Sequence, residues 1–170
     1  MNILITSAAR KVLLDQAFQK ALKDEALSGM VIAGDSSADS PALSFSDRGI
    51  ILPSLSIENS EREWEFFHDI LDVCEEYAIG LIVPTRDGEL PFFSNFKWNL
   101  DMRGIRVAIC EADTVRLCQD KIAFAGFCDG NGFGIPTLVS DITRLPVFVR
   151  ARNGWSGGMA RQADSMAEVA

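Results

Sequence analysis

Residues 2–10 read Asn-Ile-Leu-Ile-Thr-Ser-Ala-Ala-Arg, a short apolar run that ends in small polar residues and passes at once into a segment of helical period. That is the opening of a βαβ unit: a strand too short and too apolar to be half-exposed, then a helix that returns the chain. A strand is expected over residues 2–6 and a helix over 10–23, with Leu14, Phe18, Ala21 and Leu22 on one stripe. The pattern repeats downstream. Strands are expected at 30–33, ending at Asp35, and at 49–52, 79–83 and 106–109; helices are expected at 60–77, 89–100 and, as one or two pieces, 113–128. In the helix at 60–77, Trp64, Phe67, Leu71 and Cys74 are spaced for one buried face. Residues 36–47, rich in Ser, Asp, Ala and Pro, read as a loop with room for one short turn. Strands without in-out alternation, separated by helices, imply an α/β fold: a Rossmann-like parallel sheet with helices on both faces.

The chain has 170 residues, enough for one full domain and part of a second. Sixteen basic residues against 24 acidic ones give a net charge of −8, a surface that repels phosphate backbones and anionic membranes, so neither nucleic acid nor a membrane is an expected partner. The four cysteines, Cys74, Cys110, Cys118 and Cys128, form no C-x-x-C pair, as fits reduced thiols and a cytoplasmic location. The N-terminus lacks the charged and apolar regions of a signal peptide, and no apolar run reaches membrane-spanning length.

In an open parallel sheet, ligands sit beyond the carboxyl ends of the strands, which directs attention to residues 6–10, 35–37 and 84–89. The first of these loops runs into a helix N-terminus, where Ser7 and Arg10 and the unpaired backbone N–H groups suit an anion; simple capping by Thr6 or Ser7 is the competing account. The loop contains no glycine, which argues against a dinucleotide fingerprint, although Asp35 stands where such enzymes place a ribose-binding acid and also suits a turn. Thr85, Asp87 and Glu89 are placed to grip a small polar substrate, or equally to start a helix. His68, the one histidine, reads as a packed or surface residue, and nothing supports a His/Cys metal site.

Gly130, Gly132 and Gly134 follow a helix and read as its C-terminal turn rather than as a phosphate loop. Beyond them, a strand-like run at 146–150 delivers Arg150 to a loop of Gly, Ser and Asn at 152–158, which suits phosphate binding or a plain hairpin turn. Ser165 and Glu168 have capping-box spacing at a helix start. A helix that begins within one turn of residue 170 suggests a chain interrupted inside a second domain.

Six segments in order, NILITSAARKV, ADSPALSFSD, IGLIVPTRDGELPFFS, GIRVAICEADTVRLCQDKIAFAGF, GIPT and PVFVRARNGWSGG, resemble the carbamoyl-phosphate-synthase-like branch of the ATP-grasp superfamily. The resemblance implies a pre-ATP-grasp Rossmann-like domain at 1–112, a helical linker at 113–136 and the incomplete start of an ATP-grasp domain at 137–170. It implies ATP and Mg2+ as cofactors, a small-molecule carboxylate as substrate, and ligation through an acyl phosphate. By match of motif, Lys121 and Arg150 would contact ATP phosphates, and Gly154, Ser156, Gly157 and Gly158 would form a phosphate lid. Ala9, where relatives often carry glycine, and the bulky Trp155 depart from the pattern. The expected magnesium ligands and catalytic residues have no counterpart in the sequence, so the chain is expected to be catalytically incomplete. A non-catalytic small-ligand or nucleotide-binding module that self-associates, as a homodimer, is the alternative expectation.

Overall fold

The computed structural model describes residues 1–55, 60–139, 142–153 and 160–169. The chain divides into two units, Met1–Glu111 and Ala112–Ala170.

The first unit is a five-stranded sheet of β1 (Asn2–Thr6), β2 (Val31–Asp35), β3 (Arg48–Ile51), β4 (Ile79–Pro84) and β5 (Arg106–Val107). The strands stand in the order β3-β2-β1-β4-β5, and every pair is parallel. The helices are α1 (Val12–Asp24), α2 (Ala42–Phe45), α3 (Ser60–Glu76) and α4 (Leu90–Asp101), the last preceded by a 3-10 turn at Asp87–Glu89. This is the α/β sheet that the alternation of the sequence implies.

Side chains alternate across the sheet, so each strand feeds two cores. Ile3, Ile5, Val31 and Ala33 pack with Leu22 of α1 and Ala42 of α2. Leu4, Ile32 and Ile82 pack on the other face with α3 and α4. That second core is aromatic: Phe67 stacks on Phe96 at 4.5 Å, and Phe66 meets Phe92 edge-on at 4.9 Å. Phe92 and Phe93 are fully buried, and burial of each contributes about 2 kcal/mol. Gly49 is required where β3 passes α2, because a Cβ there would lie 2.3 Å from the Leu43 carbonyl oxygen.

The structure corrects the helix faces in two places. Helix α1 starts at Val12 rather than residue 10 and buries Asp15 and Leu22, while Ala21 is exposed. Trp64 is half-exposed, touching Phe67 and Phe96 only edge-on, and the buried face of α3 includes Phe66 and Ile70 instead. His68 lies beside Trp64 and Phe67.

The second unit holds α5 (Ala112–Gln119), α6 (Lys121–Gly130), an antiparallel pair β6 (Val147–Val149) and β7 (Arg161–Ala163), and α7 (Met166–Val169). Helix α6 ends as expected at its glycines. Gly132, at φ +77°, lets Phe133 N–H donate to the Cys128 carbonyl and Gly132 N–H to that of Asp129, a Schellman ending. At the start of α7, Ser165 and Glu168 do meet: the Ser165 hydroxyl donates to Glu168 at 2.9 Å, and Glu168 also accepts from the Asp164 amide at 3.1 Å.

Candidate functional site

After β1 the chain steps outward to β2 and β3, then crosses to the far side of β1 to form β4 and β5. The loops after β1 and β4 therefore part company at the switch point, where an open α/β sheet leaves a crevice. Ser7, Thr85 and Glu89 of these two loops meet there. The Glu89 carboxylate, only 4 % exposed, accepts a hydrogen bond from the Thr6 hydroxyl at 2.8 Å and another from the Ser7 hydroxyl. Thr85 donates its own hydroxyl to the carbonyls of Thr6 and Ser7, at 2.8 and 3.0 Å. Ser7 holds a left-handed backbone, φ 49°, which costs a non-glycine residue on the order of 1 kcal/mol and is retained because these bonds fix it.

On the β2 side, Asp35 is nearly buried and accepts from the amides of Ala9, at 2.8 Å, and Ser37, at 3.0 Å. It thus ties the β1 loop to its own turn. Neither account of the first loop drawn from sequence describes this arrangement. Lys11, not Thr6 or Ser7, precedes the first turn of α1, without a side-chain cap, and the loop's donors serve two carboxylates of the protein itself. Nor is Glu89 a first-turn surface residue of α4: it sits in the capping position and turns its carboxylate inward to β1. Arg10 and Asp87 are exposed, and neither lines the switch-point cleft. A cleft of about 20 Å³ remains, bounded by Ser7, Asp35, Ser36, Arg86 and Glu89, room for about one water. It shares Pro53, Ser54 and Phe66 with a wider groove of about 430 Å³.

In the second unit Lys121 opens α6, and its ammonium donates to the Gln119 carbonyl at 3.1 Å. Asp120 caps that helix, accepting from the amides of Ile122 and Ala123 at 3.0 and 3.1 Å. Arg152 forks onto the same carboxylate, with contacts of 2.6 to 3.0 Å, and holds its pKa down at about 2. Arg150 is exposed just past β6. Gly154, Ser156, Gly157 and Gly158, and with them the expected lid, lie outside the described residues. Lys121 and Arg150 thus lie in the same unit, and the Arg152 guanidinium is engaged by Asp120. Among the described residues no cluster of three or more His, Cys, Asp or Glu side chains could hold a metal ion. No helix there is long and apolar enough to cross a membrane.

A five-stranded parallel sheet of order 3-2-1-4-5 with a polar switch point defines a doubly wound, Rossmann-like α/β protein. Residues 3–108 match the model of the PylC-like, N-terminal domain family, and the chain belongs to that family. No curated protein matches the sequence. Among solved structures, pyruvate carboxylase from Rhizobium etli is 17 % identical, with 99 % of this chain and 16 % of that one covered and a TM-score of 0.65. Biotin carboxylase from Campylobacter jejuni, solved as a β-γ-ATP complex, is 16 % identical over 99 % of this chain and 39 % of that one, also at 0.65. N5-carboxyaminoimidazole synthetase from Staphylococcus aureus is 14 % identical, over 99 % and 42 %, at 0.57. The chain thus spans less than half of each of these neighbours, and at such identities the likeness establishes the fold.

Proposed function

We propose that the chain is the N-terminal part of a cytoplasmic, ATP-dependent, magnesium-requiring carboxylate–amine ligase of the carbamoyl-phosphate-synthase-like kind. In that reaction a carboxylate oxygen attacks the γ-phosphorus and ADP leaves. An amine nitrogen then attacks the acyl carbon, loses a proton and displaces phosphate. The family match and the solved neighbours support the class. On this reading Ser7, Arg10, Thr85, Asp87 and Glu89 serve the carboxylate substrate at the switch point, while Lys121 and Arg150 serve ATP. The described residues fit the phosphates through their cations; they do not fit a magnesium site, and no step of the chemistry is assigned to a metal held by them.

One observation carries the division of labour. The β1 loop spends its hydroxyls on Glu89 and an amide on Asp35, so the place where a dinucleotide fold would hold a pyrophosphate already carries two carboxylates. With those hydroxyls and that amide already engaged, the loop is not free to cradle a pyrophosphate, which favours the cations of the second unit for the nucleotide. Calorimetry on the purified chain tests this. Saturable binding of ATP with magnesium and none of NAD is expected; NAD binding without ATP binding would refute it.

A second reading, a non-catalytic binding module that self-associates, draws on the exposure of Ile122, Phe124 and Phe127 of α6 and of Phe148, which is 69 % exposed. A stable dimer in sedimentation, with nucleotide affinity and no turnover, would favour it.

A further inference from the structure

Arg152 and Asp120 are 32 residues apart in sequence, yet three guanidinium contacts join them. A second tie runs alongside: the Lys121 amide donates to the Arg152 carbonyl at 3.1 Å. Arg152 therefore holds both the cap of α6 and the first residue of the helix. Arg150 lies two residues away along the chain, at most about 7 Å from Arg152 between Cα atoms.

Stability is a weak account of such a pair. Arg152 is 58 % exposed, and exposed ion pairs contribute little. Asp120 already has its capping work: its Oδ1 serves the Ile122 and Ala123 amides and also accepts from Arg152 Nε, while its Oδ2 accepts from both Nε and Nη2 of the guanidinium. What a planar two-point fork adds is direction, since it fixes both distance and orientation where a lysine would fix only distance.

We infer that Arg152 is a positioning residue of the nucleotide site: by forking onto Asp120 and accepting from the Lys121 amide, it sets where α6 places Lys121 relative to the strand exit that bears Arg150. The inference rests on the reading of Lys121 as a phosphate contact given above. Arg152 acts through Lys121 and not by touching the nucleotide itself.

The test is calorimetric titration of the 170-residue chain with ADP, using wild type, Lys121→Ala, Arg152→Ala and the double variant, with circular dichroism melts to confirm folding. Lys121→Ala weakens binding, and Arg152→Ala weakens it about fivefold, the upper range for an exposed fork. In the Lys121→Ala background, Arg152→Ala has no further effect. Arg152→Lys, which keeps the charge and loses the fork, rescues binding only in part. Asp120→Asn keeps the helix cap and loses the charged pair, so it reproduces the loss of Arg152→Ala even if that variant folds poorly. If Lys121→Ala weakens binding while Arg152→Ala and Asp120→Asn do not, the inference is overturned and the nucleotide site stands. Additive losses in the double variant overturn it too, since Arg152 would then contact ADP directly. Absence of ADP binding by wild type, or an inert Lys121→Ala, removes the nucleotide reading and the inference with it.

Discussion

Asp15 offers the sharpest test of the packing described above. It lies on the buried side of α1 with no exposed surface, and neither carboxylate oxygen has a hydrogen-bond partner among the described residues. Burial lifts its pKa from 3.8 to about 6. The folded state therefore favours the protonated acid. Below the unfolded pKa both states hold the proton and the group costs nothing extra. As pH rises through the interval the unfolded chain ionises first, and stability falls until the folded carboxyl ionises as well. At 1.36 kcal/mol per pH unit the full loss is about 3 kcal/mol, of which about 2 kcal/mol falls between roughly pH 4.5 and 7.5. Asp15→Asn keeps the shape and removes the titration. Urea denaturation of both proteins across that range should show the stability difference, variant minus wild type, rising with pH by about 2 kcal/mol. Parallel curves would mean that Asp15 is hydrated or paired in solution, and the buried position assigned to it would be wrong.

Three further outcomes follow from the same contacts. Glu89→Ala leaves the buried Thr6 hydroxyl without its acceptor and frees Ser7, so urea denaturation should show a loss of about 2–3 kcal/mol; a change near zero would contradict the switch-point network. Gly49→Ala should cost about 1–3 kcal/mol, because its Cβ meets the Leu43 backbone, whereas Gly126→Ala, in α6 with nothing within 4 Å, should gain about 1 kcal/mol; thermal melts separate the two. With a thiol reagent, exposed Cys110 and Cys118 should react in the native protein, while Cys74, buried with its thiol pushed up to about 12, should react only on unfolding.

What the sequence discloses here is what depends on near neighbours along the chain. Strand β1 and the Gly132 helix ending follow from runs and turns of a few residues, and both stand where local pattern places them. The contacts that build the switch point do not. Glu89 reaches Thr6 and Ser7 across 83 and 82 residues, and Asp35 reaches Ala9 across 26, so spacing alone leaves Glu89 divided between helix start and binding. Strand β7 reads Arg-Gln-Ala, with no strand signal of its own; it is a strand because β6 pairs with it. The stripe on α1 was displaced by the same kind of effect. Composition places aspartate at the surface, and only the packing of α1 turns Asp15 inward in place of Ala21.

Where the nucleotide sits decides between the proposed ligase and an ordinary dinucleotide-binding sheet. Two-dimensional amide NMR of the labelled chain, titrated with ATP and magnesium, reports it residue by residue. The account predicts shifts concentrated at Lys121, Ile122 and residues 150–152, with residues 7–10 and 85–89 unmoved. Saturable shifts confined to those switch-point loops, with α6 silent, would contradict it.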